Sequence, residues 1–180
     1  MLKEVETMDT PRDKSKWKKP GFWIKEILTL VILFSVVSFA VDLWRSQDMP
    51  NEQLPNVALQ DLSGETIDIV ALSEEKPVVL YFWATWCGAC KFVTPTVDWL
   101  AKDHEVVSVA ITSGSNDRVA AYLQHRDLKF ATINDERGSL SGMWGVRATP
   151  TIVIVKGGKI ASITTGITTP PGLLARLWLA

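Results

Sequence analysis

The chain has 180 residues, a net charge of −1 and 47% apolar residues, enough for one core-forming domain with additional segments. No basic block stands outside the N-terminal segment, which argues against nucleic acid as the main partner. The two cysteines, Cys87 and Cys90, would close too short a loop to work as a structural staple, so chemistry explains them better.

Residues 1–21 are polar and lysine-rich (Lys3, Arg12, Lys14, Lys16, Lys18, Lys19) and read as a disordered tail. An apolar run then extends from Ile27 to Val41, broken only by Thr29, Ser35 and Ser38, whose hydroxyls can bond back to a helix. From Phe22 to Leu43 the chain is about 22 residues long, close to the roughly 20 that span a bilayer. Trp17, Trp23 and Trp44 flank the run as interfacial anchors do. A transmembrane anchor is therefore expected over 22–44. A buried core helix fits so long and terminal a run poorly. A cleaved signal peptide is the stronger alternative, because Ser38-Phe39-Ala40 loosely resembles a small-x-small cleavage site; an uncleaved anchor is favoured. Six Lys or Arg lie between Arg12 and Lys25, against Arg45 alone between the run and Lys76, which puts the N-terminus in the cytoplasm.

Residues 45–56 form a polar, proline-containing linker, and 57–180 read as one α/β domain. The segments Val57–Leu62 and Thr66–Val70 suggest a short hairpin around Ser63-Gly64. Pro77–Trp83 is a continuous β-rich run, as in a central buried strand. A helix is expected from 88 to 102, a second buried strand at Glu105–Ile111, and a helix at Asn116–His125 that begins with a capping residue. Phe130–Ile133 reads as a short strand. Thr151–Val155 and Ile160–Ile163 form a hairpin across Gly157-Gly158. Pro170–Trp178 is a final helix.

The chemistry sits in Phe82-Trp83-Ala84-Thr85-Trp86-Cys87-Gly88-Ala89-Cys90-Lys91, which ends a buried strand and opens a helix. A thiolate there meets unpaired helix N–H groups and the positive end of the helix dipole, which lowers its pKa. Cys87, at the helix start, is expected to be exposed and nucleophilic. Cys90, one turn in, is expected to be shielded and to attack a mixed disulfide on Cys87. Trp86, directly before the nucleophile, is expected to line the site, whereas Trp83 lines the site or packs in the core. Lys91 is either a solvated helix residue or a source of positive potential. Trp144 and Trp178 read as packing residues, and His104 and His125 as surface residues.

This segment resembles the active-site signature of the thioredoxin superfamily, with Ala89 in place of the usual proline, and the resemblance covers most of 55–180. Pro95 matches the proline that kinks the active-site helix. Ala148-Thr149-Pro150-Thr151, followed by an apolar strand and Gly157-Gly158, matches the cis-proline loop. The resemblance implies a thioredoxin fold, a central mixed β-sheet flanked by helices, preceded here by a single transmembrane helix. It implies a cis Pro150 facing the cysteines and a Thr149 backbone that pairs with extended substrate. Cys87 and Cys90 are then the catalytic residues, and Trp86, Gly88, Ala89, Thr149 and Pro150 the substrate-binding ones. No cofactor or metal is expected.

The anchor and early hairpin look more like the membrane-tethered bacterial branch of TlpA, ResA and CcmG types, and most like the ScsD type of copper-sensitivity suppression. That likeness implies a protein-disulfide oxidoreductase on the periplasmic side of the bacterial inner membrane. It would act on extracytoplasmic protein thiols and disulfides as a reductase fed by an integral-membrane thiol relay of the DsbD or ScsB kind. An oxidising dithiol role and a Cu(I)-binding thiol module stay open, since soft thiolates suit Cu(I). Half a zinc site lacks its second pair of cysteines. Three acids that the related types carry are missing: the positions hold Tyr81, Val93 and Thr151. Their absence puts in doubt a cytochrome-c role and the usual proton acceptor for Cys90.

Overall fold

A computed structural model describes residues 20–46, 54–55 and 59–180. The chain divides into two compact units, Met1–Val41 and Asp42–Ala180. Helix α1 (Pro20–Ser46) opens on a proline, whose fixed φ suits a first helical position. The Thr29 and Ser35 hydroxyls donate to the Lys25 and Val31 carbonyls at 2.9 and 2.8 Å, as expected for polar residues in an apolar helix. Ile27, Leu28, Leu30, Ile32, Leu33 and Val36 are all exposed, so the apolar surface runs around the helix rather than along one stripe. Among the described residues no helix is long and apolar enough to cross a membrane. The described side chains of α1 stop at Val41, short of the expected span 22–44. The expected tail and linker are trimmed, since Pro20, Gly21, Arg45 and Ser46 are helical. Residues 1–19, and most of the expected linker, lie outside the described residues.

The second unit is built on a five-stranded mixed sheet of order β5-β4-β3-β6-β7. Its strands are β3 (Val78–Trp83), β4 (Glu105–Ile111), β5 (Ala131–Asp135), β6 (Thr151–Lys156) and β7 (Lys159–Thr165). The pairs β3–β4 and β4–β5 are parallel, and β3–β6 and β6–β7 antiparallel. Every residue of β3 is buried, which is why its sequence shows no polar alternation. Alternation instead sorts its side chains between two cores. Val79, Tyr81 and Trp83 pack with Cys90, Val93 and Val97 of α3 (Cys90–Leu100), Val119 of α4 (Asn116–His125) and Leu173 of α6 (Pro170–Leu179). Val78, Leu80 and Phe82 face Ile69 of α2 (Ile69–Glu75), Leu140 of α5 (Ser139–Met143) and Trp144. The expected early hairpin is present as β1 (Leu59–Gln60) and β2 (Thr66–Ile67), turning through Gly64 at φ +88°.

Departures from expectation include one cap and three boundaries. The strand expected through Val70 ends at Ile67, because the Asp68 carboxylate accepts the Ala71 amide at 3.0 Å and caps α2. The cap of α4 is Ser115 rather than Asn116, whose side chain instead accepts the Asn134 amide group. Strand β5 begins one residue late and runs to Asp135. Helix α3 starts at Cys90, leaving Gly88 and Ala89 in the turn before it.

Candidate active site

The site forms where β3 ends. In the β3–β6 register the last pair is Phe82 with Thr151, the residue after Pro150. The Thr149–Pro150 bond is cis, as the resemblance implied. Pro150 is buried, and its carbonyl accepts the Gly166 amide at 2.8 Å. Beyond Trp83 the chain turns, with the Cys87 amide donating to the Ala84 carbonyl at 3.1 Å. Cys87 and Cys90 are joined by a disulfide, with Cα atoms 5.3 Å apart. The Cys90 amide, the first of α3, donates to the Cys87 sulfur at 3.1 Å. An amide so placed at a helix start is the kind of donor that stabilises an anion.

One expectation is corrected. Cys87 is buried, with 6% of its surface exposed against 2% for Cys90. It lies in the turn ahead of the helix, with its sulfur tucked against the Cys90 amide. The expected order of exposure holds, but the contrast in the disulfide form is small. Gly88 is exposed between the cysteines, with open space where a side chain would stand, while Ala89 and Thr149 are half-buried.

The tryptophans part company. Trp86 is 64% exposed beside Cys87, and its indole N–H donates to the Thr112 carbonyl at 3.2 Å. Trp83 is fully buried, stacks on Tyr81, packs on Tyr122 and donates to the Ser108 hydroxyl at 3.1 Å, so it belongs to the core. Trp144 packs on Phe82 in the opposite core, and Trp178 is on the surface. His104, His125 and Lys91 are exposed.

The loop after β4 supports the site, and sequence reasoning missed it. The Thr85 amide donates to the Ser113 hydroxyl at 3.0 Å, and Thr112 sits at φ +41°, a conformation that β-branched residues rarely adopt. The available signal was Ser113-Gly114-Ser115, a loop at the carboxyl end of a buried parallel strand, where α/β proteins place their sites.

Tyr81, Val93 and Thr151 are all buried at the positions where related types carry acids. Thr94, also missed from sequence, joins Tyr81 to the site. Its hydroxyl donates to the Cys90 carbonyl at 2.8 Å and lies 2.8 Å from the Tyr81 phenol oxygen. Burial pushes the Tyr81 phenol well above its ordinary pKa, outweighing the Thr94 hydrogen bond. Among the described residues no cluster of three or more His, Cys, Asp or Glu is placed to hold a metal ion.

A family model described as AhpC/TSA matches residues 50–163. The chain belongs to the AhpC/TSA family. A thioredoxin-like protein of Haemophilus influenzae is 40% identical over 158 residues, 87% of this chain and 94% of that one. The thiol-disulfide oxidoreductase ResA of Oceanobacillus iheyensis is 29% identical over 171 residues, 87% of this chain and 88% of its own. Among solved structures, the exposed lipoprotein thioredoxin of Streptococcus pneumoniae matches with a TM-score of 0.62 at 25% identity, covering 69% of this chain and 98% of that one. With a closed Cys87–Cys90 pair in this thioredoxin-like frame, this AhpC/TSA protein is a protein-disulfide oxidoreductase.

Proposed function

We propose that the chain is a membrane-tethered reductase, exchanging disulfides with extracytoplasmic proteins through Cys87 and Cys90 and recharged by a membrane thiol relay of the DsbD or ScsB kind. The observation that carries the dithiol-exchange part of this reading is the Cys90 amide on the Cys87 sulfur at a strand-to-helix turn. It makes Cys87 the better thiolate and hence the attacking group. A Cys87 thiolate attacks a substrate disulfide and expels one substrate sulfur as thiolate. Cys90 then attacks Cys87 in the mixed disulfide, closing the Cys87–Cys90 bond and releasing the second substrate sulfur. In this reading Trp86, Gly88, Ala89, Thr149 and Pro150 are the residues that hold the substrate strand.

Tethering is supported by α1, apolar on all sides, and by the cluster of basic residues before it. On this reading the N-terminus faces inward, following the basic residues before α1, and the thioredoxin-like domain lies in the periplasm. The ScsD type, with a role in copper tolerance, is the finer assignment we favour, on the anchor and early hairpin together. Alkylation trapping in cells tests the direction: a mostly reduced pair fits a reductase, and a mostly oxidised one rules it out. Trapping also tests the roles of the two sulfurs. Cys90→Ser accumulates mixed disulfides and Cys87→Ser does not; the reverse pattern would exchange the assignments.

A further inference from the structure

The cysteines stand in a core without a carboxylate. The cluster around Cys90 draws Tyr81 and Trp83 from β3, Val93 and Val97 from α3, Val119 from α4, Ile152 from β6 and Leu173 from α6. Tyr81 packs within this apolar cluster and the partly buried Tyr122 of α4 packs against it; Lys91, Asp98 and Arg126 line a cavity beside Thr94 and Tyr122, where the Asp98 carboxylate accepts the Lys129 amide at 3.2 Å. Among the described residues the one buried carboxylate is Asp135. It caps α5, accepting the Leu140 and Ser141 amides at 3.1 and 2.8 Å, and Leu140 packs in the opposite core. What lies beneath Cys90 instead is a directed pair of hydroxyls. The single Thr94 proton goes to the Cys90 carbonyl, so the phenol 2.8 Å away must donate to Thr94. Both groups are neutral and buried, and both hydroxyl protons are engaged, the phenol's on Thr94 and the Thr94 one on the Cys90 carbonyl.

We propose that Tyr81 and Thr94 are positioning residues for the resolving step: an uncharged relay that fixes the turn carrying Cys90 through its carbonyl and leaves its proton to the solvent or the departing sulfur. The proposal rests on the dithiol reading above. In resolution the Cys90 sulfur bonds to Cys87 and the Cys87–substrate bond breaks. The electron pair leaves on the substrate sulfur, which takes up the proton that Cys90 loses. A buried acid would add a titration to this step; hydroxyls that stay protonated add none. Thr94 also matters mechanically. Pro95, next along α3, has no amide proton to give the Lys91 carbonyl, so the turn that holds Cys90 lacks one ladder bond. The Thr94 hydroxyl ties that turn from the side.

The test is stopped-flow reaction of the reduced full-length protein with dithionitrobenzoate, from pH 4.5 to 9. The first thionitrobenzoate released reports attack by Cys87, and the second reports resolution by Cys90. In the unmodified protein the second phase rises with pH as a thiol does and shows no inflection in the carboxylate range. Thr94→Val and Tyr81→Phe, both near-isosteric, slow the second phase about 3- to 10-fold at every pH, the range of a lost neutral hydrogen bond, and the first phase less. An inflection below pH 7 in the unmodified protein, or second phases unchanged in both variants, overturns the proposal. Absence of the second phase in the unmodified protein would instead remove the dithiol reading on which it rests.

Discussion

Thr112 holds a backbone conformation that its side chain opposes. Its carbonyl receives the Trp86 indole and its amide donates to the Asp135 carbonyl at 2.9 Å, so the loop is held from both sides. A left-handed non-glycine residue costs about 1–2 kcal/mol, which strain near functional sites commonly absorbs. Thr112→Gly is expected to stabilise the domain by about 1 kcal/mol in denaturant unfolding, with Thr112→Ala falling below it. Equal stability of the two variants would remove the claim of strain. Val93 gives a second residue-scale prediction. It is fully buried in the cysteine cluster, so Val93→Glu brings an anion toward Cys87. The midpoint of a pH series of Cys87 alkylation should rise by on the order of one unit, because a nearby anion disfavours a second one. An unchanged midpoint would mean that position 93 does not act on the pair. Cys87 and Cys90 could be read from the sequence because a CxxC at a strand-to-helix junction is specific. Thr94 and Ser113 could not, since hydroxyls at helical or loop positions have no spacing that marks them.

At the scale of elements, legibility followed burial and length. Strand β4 and helix α4 agree with the sequence reading at both ends, the one an apolar-rich run interrupted after Glu105 only by Ser108, the other ten residues with a periodic face. Helices α2 and α5 escaped it, with seven and five residues, too few for a 3.6-residue period to declare itself. Helix α5 depends on one side chain. The Asp135 carboxylate, 4% exposed, takes both amides at its start. Asp135→Ala strands two buried donors, at about 1–3 kcal/mol for each unsatisfied group. A loss of 2 kcal/mol or more is expected in urea unfolding, on the order of that estimate, with hydrogen exchange at Leu140 and Ser141 accelerated. Asp135→Asn keeps an acceptor and should lose less. Protection at α5 unchanged in Asp135→Ala would show that the cap contributes nothing.

For the molecule as a whole, the thioredoxin-like architecture was legible because β3, β4 and β6 are buried on both faces and announce themselves as apolar runs. The site's supporting loops were not, because contacts such as Thr85 to Ser113 join residues far apart in sequence and need the sheet to bring them together. The proposed tether has a whole-molecule test. External protease on spheroplasts should digest the C-terminal domain and leave the basic N-terminal segment protected; a protected C-terminal domain would reverse the topology.

Cys87 and Cys90 are members of the core cluster rather than ornaments on its surface. Folding and redox state therefore share a closed thermodynamic cycle. Any preference of the folded chain for dithiol over disulfide, relative to the unfolded chain, is paid out identically as a difference in unfolding free energy and as a displacement of the reduction potential, with about 1.4 kcal/mol equivalent to about 30 mV for a two-electron couple. If the helix start does stabilise the Cys87 thiolate, the reduced protein should be the harder of the two to denature, relative to what the cross-link alone gives the oxidised one. A pair of unfolding curves, one with dithiothreitol and one without, then serves as an electrode for this site.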